Sequence, residues 1–449
     1  MKKYCHSMVC THAVMVATIL CISSCTIQPG PDPTTTTTTE SATTTTVSPI
    51  TTTTVTIDPT VHLQPSDLTY QGAFRLPSDL NWGSRGMSYY PGGDEGSGSL
   101  LVTGFDQNTP EFAQVSIPTP TTADNWQDLP EATMLTSMTN FDGGLVASYD
   151  SEYESFSAHT VVSGIAYVPQ RGSQTSDKLY GSIDFWYGVI DESHPTIWMA
   201  EMNGSNARGL YHVGPWELPY HGNKSGDYLF SVPQWYADMY LGGRILVTGK
   251  TRGAFNGSQG PTLFAFMPWD SEDPSGDLDA VPMLWYNIYF PECAGPNVGD
   301  KAYCDFTDFT MCDKWEGGGF VESGEKRAII LLGTKGLGDN TYGTPPPPSP
   351  ACEGDQGYHC DPFERQLIFY DVRELGAVAQ GTRDAWTVLP YLTWRPEEFY
   401  LGDAEGQTCG QVGSMFSDDE SQRVFIIEKG FGGYNNENGA VVHIWSIAE

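Results

Sequence analysis

Positive charge is scarce in this chain. Its 449 residues include 22 Lys and Arg against 55 Asp and Glu, a formal net charge of −33. A surface of that sign repels nucleic acid and anionic membranes, so neither is expected as a direct partner. Cations and neutral polar ligands remain compatible, and so does a merely acidic, solvated surface. Long apolar runs are missing too. The one near the N-terminus, residues 13–22, is too short to span a bilayer comfortably. No P-loop, dinucleotide fingerprint, GxSxG elbow or HExxH occurs, which removes the motif grounds for those chemistries. No stretch carries the apolar period of a helix, so none is expected.

What is present begins with a targeting segment. Lys2 and Lys3, the apolar run and Ser23-Ser24 make residues 1–24 a secretory signal. The run Ile22-Ser23-Ser24-Cys25 resembles the lipobox of bacterial lipoproteins. That resemblance implies removal of residues 1–24 and a lipid on Cys25, with the protein held at the outer membrane or cell surface because Thr26, not Asp, follows. An ordinary secretory signal cleaved nearby is the alternative. Residues 25–61 are almost wholly Thr, Pro, Ser and Val, which cannot build a core and read as an extended stalk, with O-glycosylation a further expectation. Membrane contact is expected through the lipid alone.

From residue 62 to 449 one β unit recurs. Its second strand is seen in LLVTGF (100–105), LYGSID (179–184), ILVTGK (245–250), ILLGTK (330–335) and VFIIEK (424–429). A short strand and a turn precede each, and a third strand follows. A fourth is expected at 132–138, 209–214, 284–290 and 386–393, and the fifth unit lacks one. Residues 68–77, LTYQGAFRLP, form a spare strand without a local partner. Five four-stranded antiparallel units, the last completed by residues 68–77, predict an all-β, five-bladed β-propeller. A β-sandwich pair is the competing arrangement, but it leaves the spare and missing strands at the two ends unexplained. The long connections run from second to third strands and from each unit to the next. Both kinds fall on one end of an up-and-down ring, so one decorated face is expected to carry function.

Six cysteines lie in these connections, and an even number in an exported domain suggests disulfides. Sequence proximity favours Cys293–Cys304 and Cys352–Cys360, leaving Cys312–Cys409 as a bridge between units. A zinc cluster is disfavoured, since no CxxC occurs.

Residues just before the first strands should point into the channel mouth. They include Trp82, Arg85, His221, Asp227, Trp315, Glu316 and Asp403, joined by Asp184, Lys250, Lys335 and Lys429 from the ends of second strands. The lysines are read as recurring at one equivalent position, either as cationic groups on the face or as a repeated salt bridge. Trp186 and Tyr187 add aromatic planes suited to stacking on sugars, or to pinning loops. The architecture is similar to the propellers of several bacterial glycoside hydrolase families, which implies carboxylates in the central mouth; no motif carries a catalytic residue over. Glu316, in WEGGG, is the first candidate acid, with an aromatic neighbour to raise its pKa and Asp184, Asp227 or Asp403 as partner. Elimination would instead use His159 or His221 as base, with Arg85 neutralising a uronate. No cofactor is expected, although Asp305, Asp308 and Asp313 could take Ca²⁺ without a consensus loop. The expected function is glycan or similar polar-ligand binding by a monomer, with a glycoside hydrolase or polysaccharide lyase, or a protein-interaction scaffold, as alternatives.

Overall fold

Runs of four to eight β-branched and aromatic residues, cut by Gly, Pro and Asp turns, favour short antiparallel strands over helices. The computed structural model bears this out. It describes residues 60–80, 85–104, 110–152, 160–185, 194–215, 224–251, 260–267, 277–286, 309–310, 312–338, 341–342, 358–360, 362–401, 412–431 and 439–448. All lie within the unit Val55–Glu449.

Strand β1 (Leu68–Arg75) comes first. Blade one follows as β2 (Met87–Tyr90), β3 (Ser99–Thr103), β4 (Glu111–Val115) and β5 (Thr139–Asn140). Blade two holds β6 (Thr160–Val168), β7 (Lys178–Phe185), β8 (Ile197–Glu201) and β9 (Arg208–Tyr211). Blade three holds β10 (Tyr228–Ser231), β11 (Leu246–Gly249), β12 (Leu263–Phe266) and β13 (Ala280–Leu284). Blade four holds β14 (Lys314–Ser323) and β15 (Lys326–Gly336), then a small ribbon of β16 (Thr341–Tyr342) and β17 (Tyr358–His359), then β18 (Phe363–Tyr370) and β19 (Leu392–Trp394). Blade five holds β20 (Val412–Asp418), β21 (Arg423–Lys429) and β22 (Ala440–Ile447). Its fourth strand is β1, paired with β22 from Leu68↔Ile447 to Arg75↔Val441. The inner strands touch in the order β2, β6, β10, β14, β20 and back to β2, so the five blades close a ring. The fold is a five-bladed β-propeller.

The core lies between blades. Alternate residues of a strand face opposite neighbours. Leu100 and Val102 thus join a cluster with Phe425 and Ile427 of blade five, while Leu101 packs with Val162 and Ile183 of blade two. Phe74 of β1 is fully buried in the cluster between blades five and one. Five blades leave little room at the axis, and glycines fill the inner strands where backbones meet. A Cβ on Gly86 would stand 2.9 Å from the Ile165 nitrogen, and one on Gly317 2.3 Å from the Met415 nitrogen. Register irregularities interrupt three inner strands near their starts: between Val162 and Gly164, Trp315 and Gly317, and Val412 and Met415. Such bulges re-aim the extra side chain, here Ser163 in β6 and Glu316 in β14.

Several expectations need correction. The fourth strand of blade one is Thr139–Asn140, not 132–138. That earlier segment instead straddles two blades, with Ala132 N–H donating to Arg75 O and Met134 bridging Val115. The fourth strands of blades three and four are likewise displaced, to Ala280–Leu284 and Leu392–Trp394. Three short helices do occur among the described residues: α1 (Leu145–Glu152), α2 (Gln234–Tyr240) and α3 (Val372–Ala379). Two turns of helix are too few for an apolar period to register. Finally, Cys312 is bonded to Cys360, with Cα atoms 5.9 Å apart, which overturns both Cys352–Cys360 and Cys312–Cys409. Both cysteines enter strands that flank β15, and they close over Gly336, where a Cβ would lie 2.6 Å from that of Cys360 and 3.1 Å from that of Cys312. Cys293 and Cys304, like Cys352, Cys409 and Cys25, lie outside the described residues.

Candidate functional site

Strand starts of first strands and ends of second strands meet at one end of the ring, the loop face. In blade three, the pairing Tyr228↔Gly249 sets Asp227 opposite Lys250. Asp184, at the end of β7, reaches the same spot from blade two. All three are buried, at 2–3% exposure. Lys250 Nζ donates to Asp184 Oδ1 and lies 3.5 Å from Asp227 Oδ2, which also accepts from Thr251 N–H. One ammonium neutralises one carboxylate, so the second carboxyl keeps a proton. Burial, then the Asp184 charge, pushes Asp227 up to about 8. Burial pushes Asp184 upward as well, but Lys250, a hydrogen bond from Asp227 and the charge of Arg85 together hold it below its usual value. The pair therefore shares one proton between unlike sites.

Arg85 precedes β2 in blade one, and its Nη2 lies 3.8 Å from Oε2 of Glu316, the bulged residue of blade four. Blades one and four are not neighbours, so this contact spans the ring. Both side chains are 11% exposed, which leaves part of each open to a ligand. Charged groups from four blades thus converge: Arg85, Asp184, Asp227 with Lys250, and Glu316. Trp315 is not part of this surface. It is buried in the core with its ring against Phe309, centroids 5.9 Å apart, because the bulge separates its direction from that of Glu316. The place in the channel mouth expected of it is therefore not taken up.

The lysines do not share one role. Lys335 bonds Asp313 at 2.8 Å, repeating in blade four the Asp-before-strand, Lys-after-strand arrangement of Asp227 and Lys250. In β21, Val424 and Ile426 pack toward blade four and Phe425 and Ile427 toward blade one. Alternation then puts Glu428 on the blade-four side and Lys429 on the other. Fully buried Glu428 accepts from Arg365, from His443 Nε2 at 3.0 Å, and from Tyr400 and Leu401 N–H at 2.8 Å. The Tyr70 hydroxyl of β1 completes the chain at His443 Nδ1, 3.0 Å away. Sequence reading missed this network. Its only signal is one histidine inside the apolar run VVHIW. Lys429 is 6% exposed and forms no ion pair among the described residues.

Trp82, His159, Trp186, Tyr187, His221 and Asp403 lie outside the described residues. So do Asp305 and Asp308 of the acidic trio considered for Ca²⁺, and the third, Asp313, is engaged by Lys335. Among the described residues no cluster of three or more His, Cys, Asp or Glu could hold a metal. Compared with protein-family models and with curated proteins, the chain matches none.

Proposed function

We propose that the loop-face mouth of the propeller binds a glycan or similar polar ligand, held by Arg85 and Glu316. The observation that carries this is the approach of these two part-exposed charges across the ring, 3.8 Å apart, within electrostatic reach of the buried Asp184–Lys250–Asp227 cluster. A guanidinium and a carboxylate side by side offer donors and acceptors to hydroxyl groups, and the buried cluster nearby fixes the charge that Arg85 faces. In this proposal the chain is exported, anchored at Cys25 and monomeric. The test is a glycan array followed by titration of the best binder. Arg85→Gln should weaken binding at least about tenfold, the scale of one lost charged contact, in protein that still unfolds cooperatively although at a lower temperature, because Glu316 and Asp184 lose a favourable charge. An array without binders, or equal affinity in the variant, would refute it.

A second reading, a glycoside hydrolase or lyase, is favoured by the split between Asp227, held up, and Asp184, held down, the pattern of an acid beside a base. Against it, the Asp227 side chain is wholly buried. Glu316→Gln separates the two readings: turnover lost with binding retained identifies an enzyme, and an absence of turnover in the unmodified protein removes that reading.

A further inference from the structure

Among the described residues, one lysine stands apart from the rest. Lys178, Lys250, Lys326 and Lys335 each meet a carboxylate, and Lys224 and Lys314 likewise have partners. Lys429 makes no hydrogen bond or ion pair there, although it is only 6% exposed. Lysine is seldom enclosed this far without a partner. Its nitrogen is not sealed off, so the ammonium remains open to a solute. Neither carboxylate close to it along the chain or across the seam serves. Glu428 lies on the blade-four side and already accepts from Arg365, His443 and two backbone N–H groups. Asp79, on the link from blade five to blade one, is exposed and not bonded to Lys429.

The fold sets this ammonium beside the mouth. Lys429 ends β21, where it pairs with Ala440. It stands two residues beyond Ile427, and Arg85 stands two before Met87. Ile427 and Met87 share the apolar cluster between blades five and one, and the β2–β3 ladder runs on to Gly86, whose N–H and O both bond Thr103. The two-residue period of a strand then puts Lys429 and Arg85 at the loop end of that one seam. The link from β1 to β2 closes over it: Leu76 N–H donates to Ala440 O at 2.8 Å, and Leu76 and Leu80 are buried in the same cluster. A lysine held in this way has already lost most of its water. An arriving anion therefore gains the attraction without the protein's share of the desolvation cost. The chain's net charge of −33 does not prevent this. At about 0.1 M salt the Debye length is about 10 Å, so remote carboxylates are screened while a contact pair is not.

We propose that Lys429 is an anion subsite of the loop face and that the ligand of the mouth is an acidic glycan, with its carboxylate or sulfate group on Lys429 and its hydroxyls on Arg85 and Glu316. The assignment rests on the glycan reading of the mouth for the sugar, and on Lys429 alone for the charge. A lysine presents a compact charge with three donors and no fixed fork, so it takes either kind of oxyanion. Arg85 contributes direction more than net charge, because Glu316 faces it at 3.8 Å.

NMR of the whole protein, with its lysines isotope-labelled at Cε, tests the charge by titration with sodium acetate and sodium sulfate against sodium chloride at constant ionic strength. The Lys429 signal, assigned by its loss in Lys429→Gln, should shift saturably with acetate or sulfate and not with chloride, and the two anions rank carboxylate against sulfate. On a glycan array, glucuronate-bearing or sulfated glycans should bind at least about tenfold more tightly than their neutral parents. Lys429→Gln should level the two, and Lys429→Arg should keep part of the preference. Lys429→Gln should not lower the melting temperature of the ligand-free protein, because no ion pair is broken. A Lys429 signal silent to both anions, neutral glycans bound as tightly as acidic ones, or a preference that survives Lys429→Gln would overturn the subsite and leave the glycan reading in place. An array with no binder would overturn the glycan reading and the acidic-glycan assignment with it, whatever the lysine signal does.

Discussion

Replacing Asp227 by Asn should change how stability depends on pH far more than it changes stability at pH 5. Asp227 is buried beside Asp184 and Lys250, with a pKa of about 8 against an ordinary value of 3.8. A carboxyl raised in the folded state binds more protons there than in the unfolded chain throughout that interval. Stability therefore falls as pH climbs from about 4 to about 8, by at most ~1.4 kcal/mol per pH unit, with a ceiling of about 5–6 kcal/mol across the window. Asparagine imitates the protonated acid. Its oxygen can accept from Thr251 N–H, as Asp227 Oδ2 does, and its amide can donate toward Asp184. Lys250 keeps its bond to Asp184. Urea unfolding of both proteins at pH 5, 6, 7, 8 and 9 would separate them. The variant should lead by only about 1–2 kcal/mol at pH 5, then gain steadily and lead by several kcal/mol at pH 8 and above. Parallel pH profiles, or a variant destabilised equally at every pH, would refute the shared-proton account. Asp184 acts at the other end. Held below its usual value, it contributes stability above about pH 4 that is lost as pH falls through its lowered pKa.

Other perturbations test the frame. Phe74→Ala empties a fully buried site in the closing strand and should cost about 3–5 kcal/mol by denaturant titration; a loss below ~1 kcal/mol would mean that β1 is not packed between blades five and one. Non-reducing peptide mapping should recover Cys312 joined to Cys360, and replacing both by Ser should cost about 4 kcal/mol for a bridge of sequence separation 48. Gly317→Ala places a methyl 2.3 Å from the Met415 nitrogen, so the inner strands must separate, at about 1–3 kcal/mol in a thermal melt.

The architecture was legible because turn residues bound every strand and because LTYQGAFRLP has no partner nearby while the fifth unit lacks a strand. The fourth strands of blades one, three and four were misplaced because edge strands make fewer contacts, whereas those of blades two and five fell where expected, and 132–138 is apolar for a different reason: it lies against two blades at once. Glu316 was singled out for its aromatic neighbour, yet Trp315 turns into the core and the bulge is what aims the carboxylate. Matching the lysines by motif failed at Lys429, since a one-residue offset on a pleated strand reverses the face. Arg85 and Glu316 were both legible as mouth residues from their places at the starts of first strands, but how closely they approach across the ring was not. That distance depends on blade number and channel width, which emerge only when the ring closes. The cysteines were paired by nearness along the chain, whereas β15, lying between their two strands, determines which sulfurs meet.

Because β1 pairs with β22, the strand that leaves the ribosome before any blade must wait for one that leaves after all the others. At roughly 5–20 residues per second that delay is on the order of tens of seconds. Blades one to four can form in the meantime from neighbouring segments, while β1 holds an open hydrogen-bonding edge. The final step joins Leu68 to Ile447, a contact of very high sequence separation, and such contacts set slow folding rates. A chain stalled before Ala440 therefore presents two unmatched edges, at β1 and at β21, and can satisfy them on another unfinished chain. Exchange of β1 between molecules is the misassembly this topology invites, and it would be favoured by crowding of nascent chains and suppressed by dilution.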